Sequence, residues 1–83
     1  MKRRQTRSFN LQRLKFERLS RNITQQEMAN ALGITANAYY KKESGMNNIS
    51  VEEFGVIIDR LGIPSSKAGI FFTFDVPERE QVM

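Results

Sequence analysis

Residues 24–45 read TQQEMANALGITANAYYKKESG, and this stretch holds two short helices together with the residues that start and stop them. The tetrad at 24–27, TQQE, has the form of a capping box, in which a threonine hydroxyl and a glutamate carboxylate each accept a backbone N–H at a helix start. Gly33 stands where a left-handed residue ends that helix, so we predict a helix over residues 24–32. Thr35 is a second N-cap and Gly45 a second stop, which predicts another helix through about residue 44.

A third helix is predicted downstream of this pair. Residues 50–53, SVEE, repeat the capping box, and apolar residues follow at three- and four-residue spacing. Gly62 and Pro64 end the run, because glycine adopts the left-handed stop conformation readily and proline cannot continue a helix. We expect Ser65 or Ser66 to cap one further turn.

The helix upstream has a less regular apolar face. Leu11, Leu14 and Leu19 predict a helix over about residues 9–21, and Lys15 projects into the arc that these leucines define. We expect the Lys15 stem to lie along the surface with its amine in water, as long basic side chains do. Together the predicted segments indicate an all-α fold, a compact bundle of four to five short helices.

The end of the chain follows a different period. From Ile70 to Val76 the residues alternate with a spacing of two, which predicts a β-strand. No other segment is predicted to be a strand, so we expect its backbone to pair with the same strand of a second copy. The dimer interface would then contain Ile70, Phe72, Phe74 and Val76. The alternative is an extended tail whose residues 70–72 fill the domain's own core.

Composition excludes several classes of protein. The chain has 83 residues, enough for one small domain, and contains neither cysteine nor histidine. The commonest general base, the commonest metal ligand and the most reactive nucleophile are therefore missing, so we expect no enzyme activity, no metal, no cofactor and no small-molecule ligand. No apolar run approaches the roughly 20 residues that span a bilayer, and the N-terminus lacks the apolar segment of a signal peptide, so we expect a cytoplasmic protein.

Basic charge is concentrated at the start of the chain. Residues 1–21 carry a net charge of +7, whereas residues 22–83 carry a net charge of −3. Lys and Arg arms bind polyanions because they release counterions when they meet phosphates. The arm at 1–8, with Arg3, Arg4 and Arg7, therefore indicates either a polyanion partner or a solvated tail that keeps the protein soluble.

The second helix of the central pair has an inner and an outer face. Two short helices joined by Gly33 and Ile34 have the form of a helix-turn-helix. At about 100° per residue, Ala36 and Glu43 share the inner face with Tyr39. The outer face carries Asn37, Tyr40, Lys41 and Ser44. Such side chains can contact base edges and phosphates, although an ordinary solvated helix has the same composition.

These residues resemble a known family. The run at 23–35, ITQQEMANALGIT, followed by Glu43, Gly45 and a helix ending in LGI at 61–63, resembles the phage-repressor (Cro/Xre-type) helix-turn-helix family. The resemblance covers residues 9–72 and implies a lambda-repressor-like domain that binds double-stranded DNA as a homodimer on a palindromic operator, usually as a repressor. We therefore divide the chain into a basic arm at 1–8, the helix-turn-helix domain at 9–72 and a C-terminal extension at 73–83 that is a candidate dimerising strand.

The resemblance also implies roles for individual residues. Gln25 would bind a phosphate or a nearby base from the start of the second helix. The residues that would enter the major groove are Thr35, Ala36, Asn37, Tyr40 and Lys41. Base reading is expected to concentrate on Asn37 and Lys41, while Asn47 and Asn48 contact the DNA backbone. Arg18 and Glu43 are expected to form an internal ion pair that fixes the recognition helix.

Two residues depart from the family's usual pattern. Lys42 stands where the family usually has an aliphatic residue, and Tyr39 is larger than the usual isoleucine or valine. We expect the Lys42 amine to snorkel into water while the aromatic ring fills the space.

Two functions remain open at this point. The favoured one is a sequence-specific DNA-binding transcriptional regulator, because it explains the helix spacing, the basic arm and the outer face of the second helix together. The alternative is an antitoxin or protein-interaction module that uses the same fold to bind a partner protein, with the strand at 70–76 as its docking element.

Overall fold

The computed structural model describes residues 7–74, and the described chain is built mainly of short helices. The α-helices are α1 (Leu11–Ser20), α2 (Gln25–Leu32), α3 (Ala36–Glu43) and α4 (Val51–Leu61). A 3₁₀ helix (Ser65–Phe71) follows, and strand β1 (Arg7–Phe9) pairs with strand β2 (Phe72–Phe74). The predicted all-α bundle is confirmed. No helix within residues 7–74 is both long and apolar enough to cross a membrane.

Each α-helix begins at a residue whose side chain caps it. Thr24 Oγ1 accepts the Glu27 N–H at 3.0 Å, and Glu27 Oε1 accepts the Thr24 N–H at 2.9 Å, which completes the predicted capping box. Ser50 and Glu53 form the second predicted box. Helix α2 ends at Gly33, whose φ of 73° lies in the left-handed region that glycine adopts without strain. The bounds predicted for the central pair are therefore confirmed to within one residue.

The core receives one large side chain from each helix. Leu14, Met28, Tyr39, Ile57 and Phe71 are the largest fully buried side chains, and they come from α1, α2, α3, α4 and the 3₁₀ helix respectively. Burying each such side chain stabilises the fold by about 1.5–3 kcal/mol. Every helix is therefore held to the others by at least one anchoring residue.

Helix α1 packs on a different face from the one that the leucine spacing predicted. Leu14 is buried, but Leu19 is 53% exposed, and Glu17 and Arg18 are buried in its place. Residue 18 lies one helical turn after residue 14, whereas residue 19 lies about 140° away around the axis. The prediction from the apolar pattern was wrong because Arg18, paired with a carboxylate, occupies a core position. Lys15 is exposed, as expected.

The C-terminal strand pairs within its own chain. Strand β2 runs antiparallel to β1, with Arg7 opposite Phe74 and Phe9 opposite Phe72. The prediction that no other segment forms a strand was therefore wrong, because three residues at 7–9 are too few to show a two-residue alternation. The strand also begins at residue 72 rather than 70, and the expected interface residue Val76 lies outside the described residues.

Residues 70–72 fill the domain's own core, which was the alternative expectation. Phe71 is fully buried, and Ile70 and Phe72 pack partly buried against the core. Phe9 stacks on Phe71 at 5.8 Å between ring centroids and meets Phe54 edge to face at 5.4 Å. Such aromatic pairs contribute about 0.5–1.5 kcal/mol each beyond their burial. The strand pair is thus fastened to α4 and to the 3₁₀ helix.

The last helical turn starts differently from the expectation. Neither Ser65 nor Ser66 caps it with a side chain. The backbone carbonyl of Pro64 instead accepts the N–H of Lys67 at 2.8 Å. Proline suits this place because its fixed φ directs the chain into the turn and its missing N–H is not needed there.

The two glycines at 45 and 55 are expected to respond oppositely to alanine. Gly45 has a φ of 92°, and a Cβ there would lie 3.3 Å from Leu11 Cδ1, so Gly45→Ala should lower the free energy of unfolding by about 1–3 kcal/mol. Gly55 lies inside α4, and a Cβ there would meet nothing within 4 Å, so Gly55→Ala should raise it by about 0.5–1 kcal/mol. Urea denaturation of both variants measures the difference, and effects of the same sign would contradict the geometry.

Candidate nucleic-acid interface

Helices α2 and α3 are joined by a tight turn. Gly33 N–H donates to the carbonyl of Asn30 at 3.2 Å, and Ile34 N–H donates to the carbonyl of Ala29 at 3.0 Å, which satisfies the end of α2. Thr35 then caps α3 through the hydrogen bond from Ala38 N–H to its Oγ1, at 3.1 Å. Ala29 is fully buried, and its small side chain permits the close approach of the two helices.

Helix α3 has the two faces that its sequence predicts. Tyr39 and Glu43 are buried and Ala36 is half-buried, so these residues form the inner face. The side chains exposed to solvent on the other face are those of Asn37, Tyr40 and Lys41 within α3 and Ser44 at its end. An amide, a phenol, an amine and a hydroxyl therefore line one accessible surface.

A buried ion pair holds α3 against α1. Arg18 donates from Nε to Glu43 Oε2 at 2.8 Å and from Nη2 to Glu43 Oε1 at 3.0 Å, a bidentate arrangement. The two side chains are only 6% and 4% exposed. The third arm of the guanidinium, Nη1, donates to the carbonyl of Ile23 at 2.7 Å, which ties the start of the helix pair to the same residue.

Two further side chains complete the network around Glu43. Tyr39 donates its hydroxyl to Glu43 Oε2 at 2.8 Å, and Gln25 donates its amide Nε2 to Glu43 Oε1 at 2.9 Å. Across residues 9–72, no buried side-chain nitrogen or oxygen lacks a hydrogen-bond partner. The carboxylate thus joins α1, α2 and α3 at one point, with its charge fully compensated.

The network fixes the charge states of its members. Burial alone would raise the pKa of Glu43, but hydrogen bonds from Arg18, Gln25 and Tyr39 hold it below its usual value. The hydrogen bond with Glu43 raises the pKa of Arg18, and burial raises the pKa of the Tyr39 phenol. At neutral pH the network therefore contains a carboxylate, a guanidinium and a neutral phenol.

Gln25 has a structural contact that sequence reasoning missed. It is half-buried at the start of α2, where its amide nitrogen is bound to Glu43 across the helix pair. The contact joins residues 18 positions apart. No local pattern reveals it, although both residues are among those that carry the family resemblance.

The segment after α3, residues 45–49, folds back over the end of that helix. The N–H groups of Met46 and Asn47 both donate to the carbonyl of Lys41, at 2.9 and 3.1 Å. Asn47 and Asn48 are exposed to solvent. This segment is called the 45–49 loop below.

The amine of Lys42 was expected to lie in water, but it contacts the protein instead. Lys42 Nζ lies 3.0 Å from the carbonyl oxygen of Asn48 and 3.1 Å from Glu53 Oε1, and its side chain is only 15% exposed. The expectation was wrong because a carboxylate and a backbone carbonyl lie within reach of the lysine stem. Both partners follow Lys42 in sequence but belong to other elements.

A family model for helix-turn-helix domains of the Cro/C1 (Xre) type matches residues 14–67. The chain belongs to the helix-turn-helix family. No curated protein and no solved structure gives a significant match. Helix-turn-helix proteins of this family are DNA-binding regulators of transcription and not enzymes, and DNA is the partner that the domain implies.

The basic arm of this helix-turn-helix protein is described only at its end. Arg7 is the first residue of β1, and Arg3 and Arg4 lie outside the described residues. Between residues 7 and 74, no group of three or more acidic side chains is arranged to hold a metal ion.

Removing Arg18 should destabilise the helix-turn-helix domain strongly. Arg18→Met leaves the Glu43 carboxylate buried without its counter-charge, so we expect the free energy of unfolding at pH 7 to fall by about 3–5 kcal/mol. The matched control is Arg13→Met, because Arg13 pairs with Glu17 while 42% exposed and should contribute less than about 1 kcal/mol. Equal losses in urea denaturation would contradict the buried pair.

The same pair gives the stability a pH dependence of known sign. The pKa of Glu43 is lower in the folded than in the unfolded chain, so its stabilisation is complete above the unfolded-state pKa and is lost as the pH falls through the folded-state pKa. Glu43→Gln should flatten the slope of stability against pH in that acidic window. An unchanged slope would show that Glu43 titrates normally in the folded protein.

Proposed function

We propose that this protein is a sequence-specific transcriptional repressor that acts as a homodimer on a palindromic operator. The observation that supports this best is the exposed face of α3, which is rigidly backed by the Glu43 network. An asparagine amide can bind adenine with two hydrogen bonds, and a lysine amine can donate to guanine or to phosphate. Asn37 and Lys41 are therefore the proposed base-reading residues.

The remaining proposed contacts serve to position the domain. Thr35, Tyr40 and Ser44 offer hydroxyls around the base-reading pair, and the half-buried Ala36 offers its methyl group from the edge of the inner face. Gln25 donates the second N–H of its amide Nε2 to a phosphate from the start of α2, while the first N–H remains on Glu43 Oε1. The backbone contacts at the two ends of the interface come from Asn47 and Asn48 and from the arm residues Arg3, Arg4 and Arg7.

The proposed dimer places two copies of α3 about 34 Å apart in successive major grooves. Strand β2 has one edge paired with β1, and its opposite edge has no partner among residues 7–74. We place a second copy of β2 on that edge. Because Ile70 and Phe72 already pack against their own core, Phe74 and Val76 supply most of the apolar contact between copies.

Two substitutions test the division between base reading and backbone contacts. Asn37→Ala should cost about 1–3 kcal/mol on the cognate site and relax the preference at one base pair, whereas Arg4→Ala should weaken binding to all sequences alike. The cognate site is first selected from random duplexes, and affinities are then measured by fluorescence anisotropy. Asn30→Ala on α2 is the matched control and should leave base preference unchanged. Equal effects of Asn37→Ala and Arg4→Ala on every duplex would contradict the assignment.

Salt dependence separates DNA binding from the competing function of binding a partner protein. Binding through several phosphates weakens by about tenfold per tenfold increase in salt for each phosphate neutralised. Binding of a protein through an apolar strand would change little. If the purified protein does not bind DNA duplexes at low ionic strength, the proposed repressor function is ruled out.

The proposed dimer is tested by its mass in solution. Phe74→Asp places a charge in the proposed interface and should shift the mass measured by light scattering from two chains to one. Leu19→Asp is the control, because Leu19 is an exposed apolar residue of α1 outside that interface. A mass that stays at two chains in Phe74→Asp would contradict the strand interface.

A further inference from the structure

Lys42 connects the end of α3 to the 45–49 loop and to the start of α4. It belongs to the last turn of α3, and its amine binds both the carbonyl of Asn48 in the 45–49 loop and the carboxylate of Glu53 in α4. Because its side chain is 15% exposed, the amine lies against the protein. A lysine that contacted phosphate directly would have to leave both partners.

Glu53 performs two tasks with one oxygen. Its Oε1 accepts the Ser50 N–H at 2.9 Å, which caps α4, and lies 3.1 Å from Lys42 Nζ. The backbone hydrogen bond at Ser50 and the contact with Lys42 both lower the pKa of Glu53. The carboxylate is therefore held by the α4 cap and in turn holds the lysine.

The 45–49 loop is fastened at both of its ends. At its start, Gly45, Met46 and Asn47 donate their N–H groups to carbonyls in the last turn of α3. At its end, Lys42 holds the carbonyl of Asn48. The Asn47 and Asn48 side chains remain exposed between these attachments. A loop fixed in this way loses little further freedom when it meets a ligand.

We propose that Lys42 is a positioning residue for the contacts between the 45–49 loop and the phosphates of DNA, acting through Asn48 and Glu53. This inference rests on the proposed function, since it requires that the loop meet the DNA backbone. Lys42 orders the donors of the loop before binding, and its own charge is largely neutralised by Glu53.

Electrostatics and positioning predict opposite effects for a change at Glu53. If Lys42 attracted DNA only by its charge, neutralising Glu53 would strengthen binding, because a negative charge near the interface disappears. If Lys42 acts by positioning the loop, the same change weakens binding, because the amine loses its anchor. The sign of the effect therefore separates the two roles.

Glu53→Gln is the variant that makes this test. Glutamine serves in a capping box as glutamate does, so the α4 cap is retained while the ion pair with Lys42 is reduced to a weaker, neutral hydrogen bond. On a random-sequence duplex we expect Glu53→Gln to weaken binding about three- to tenfold. The slope of log affinity against log salt should stay nearly unchanged, because the neutral groups of the loop release no counterions when they lose their phosphates, whereas a steeper slope would show that the freed Lys42 amine binds phosphate itself. Glu52→Gln is the matched control, because it removes the same charge from the neighbouring exposed residue and should leave binding equal or slightly stronger.

Changes at Lys42 provide the rescue. Lys42→Met should weaken binding to the random duplex at least as much as Glu53→Gln, and Lys42→Arg should restore most of the affinity because it can bind the same two oxygens. The Lys42→Met, Glu53→Gln double variant should bind no more weakly than Lys42→Met alone, since both changes break one connection.

Three outcomes separate failure of this inference from failure of the proposed function. Binding by Glu53→Gln as strong as by Glu52→Gln would overturn the role of Lys42 while leaving DNA binding intact. A lower unfolding temperature for Glu53→Gln with unchanged affinity would also overturn it, because Lys42 would then serve stability alone. An unmodified protein that binds no duplex would overturn the proposed function itself.

Discussion

The bidentate pair between Arg18 and Glu43 is the contact on which the arrangement of the helices depends. Its partners lie 25 residues apart, and the carboxylate also accepts from Gln25 and Tyr39, so three helices meet at one charged group. Burying two charges costs nearly as much as their attraction returns, so such a pair adds little net stability. Its value is geometric, because a carboxylate with several directed donors permits one orientation of α3, whereas apolar contacts alone tolerate several.

A second, more exposed ion pair, between Lys42 and Glu53, acts on the other side of α3. The Arg18 pair sets the angle of the helix, while Lys42 connects its end to the 45–49 loop and to the first turn of α4. One face of α3 thus fixes the helix to α1, a second face is exposed to solvent, and a third connects the helix to the 45–49 loop and to α4. The side chains of Asn37, Tyr40 and Lys41 on the exposed face are accessible to solvent, which suits a surface whose partners are bases and phosphates.

Local features of the sequence predicted the fold well, and contacts between distant residues account for the failures. A capping box involves residues only three apart, so the starts of α2 and α4 were predicted correctly. The faces of α3 followed from helical geometry alone. The apolar pattern of α1 misassigned Leu19 because it could not show that Arg18 finds a partner in another helix. The predictions for the Lys42 amine and for residues 7–9 failed for the same reason, since each of these features depends on a partner that lies elsewhere in the chain.

The pairing of β1 with β2 brings residue 7 beside residue 74, so the first and the last described residues lie at one edge of the domain. Shortening the basic arm is therefore hazardous beyond residue 6. A deletion that includes Phe9 removes the contacts of its ring with Phe71 and Phe54 and leaves β2 without its partner strand. Such a truncated protein would bind DNA poorly because its fold is destabilised. The weaker binding would then be wrongly attributed to the missing arginines of the arm.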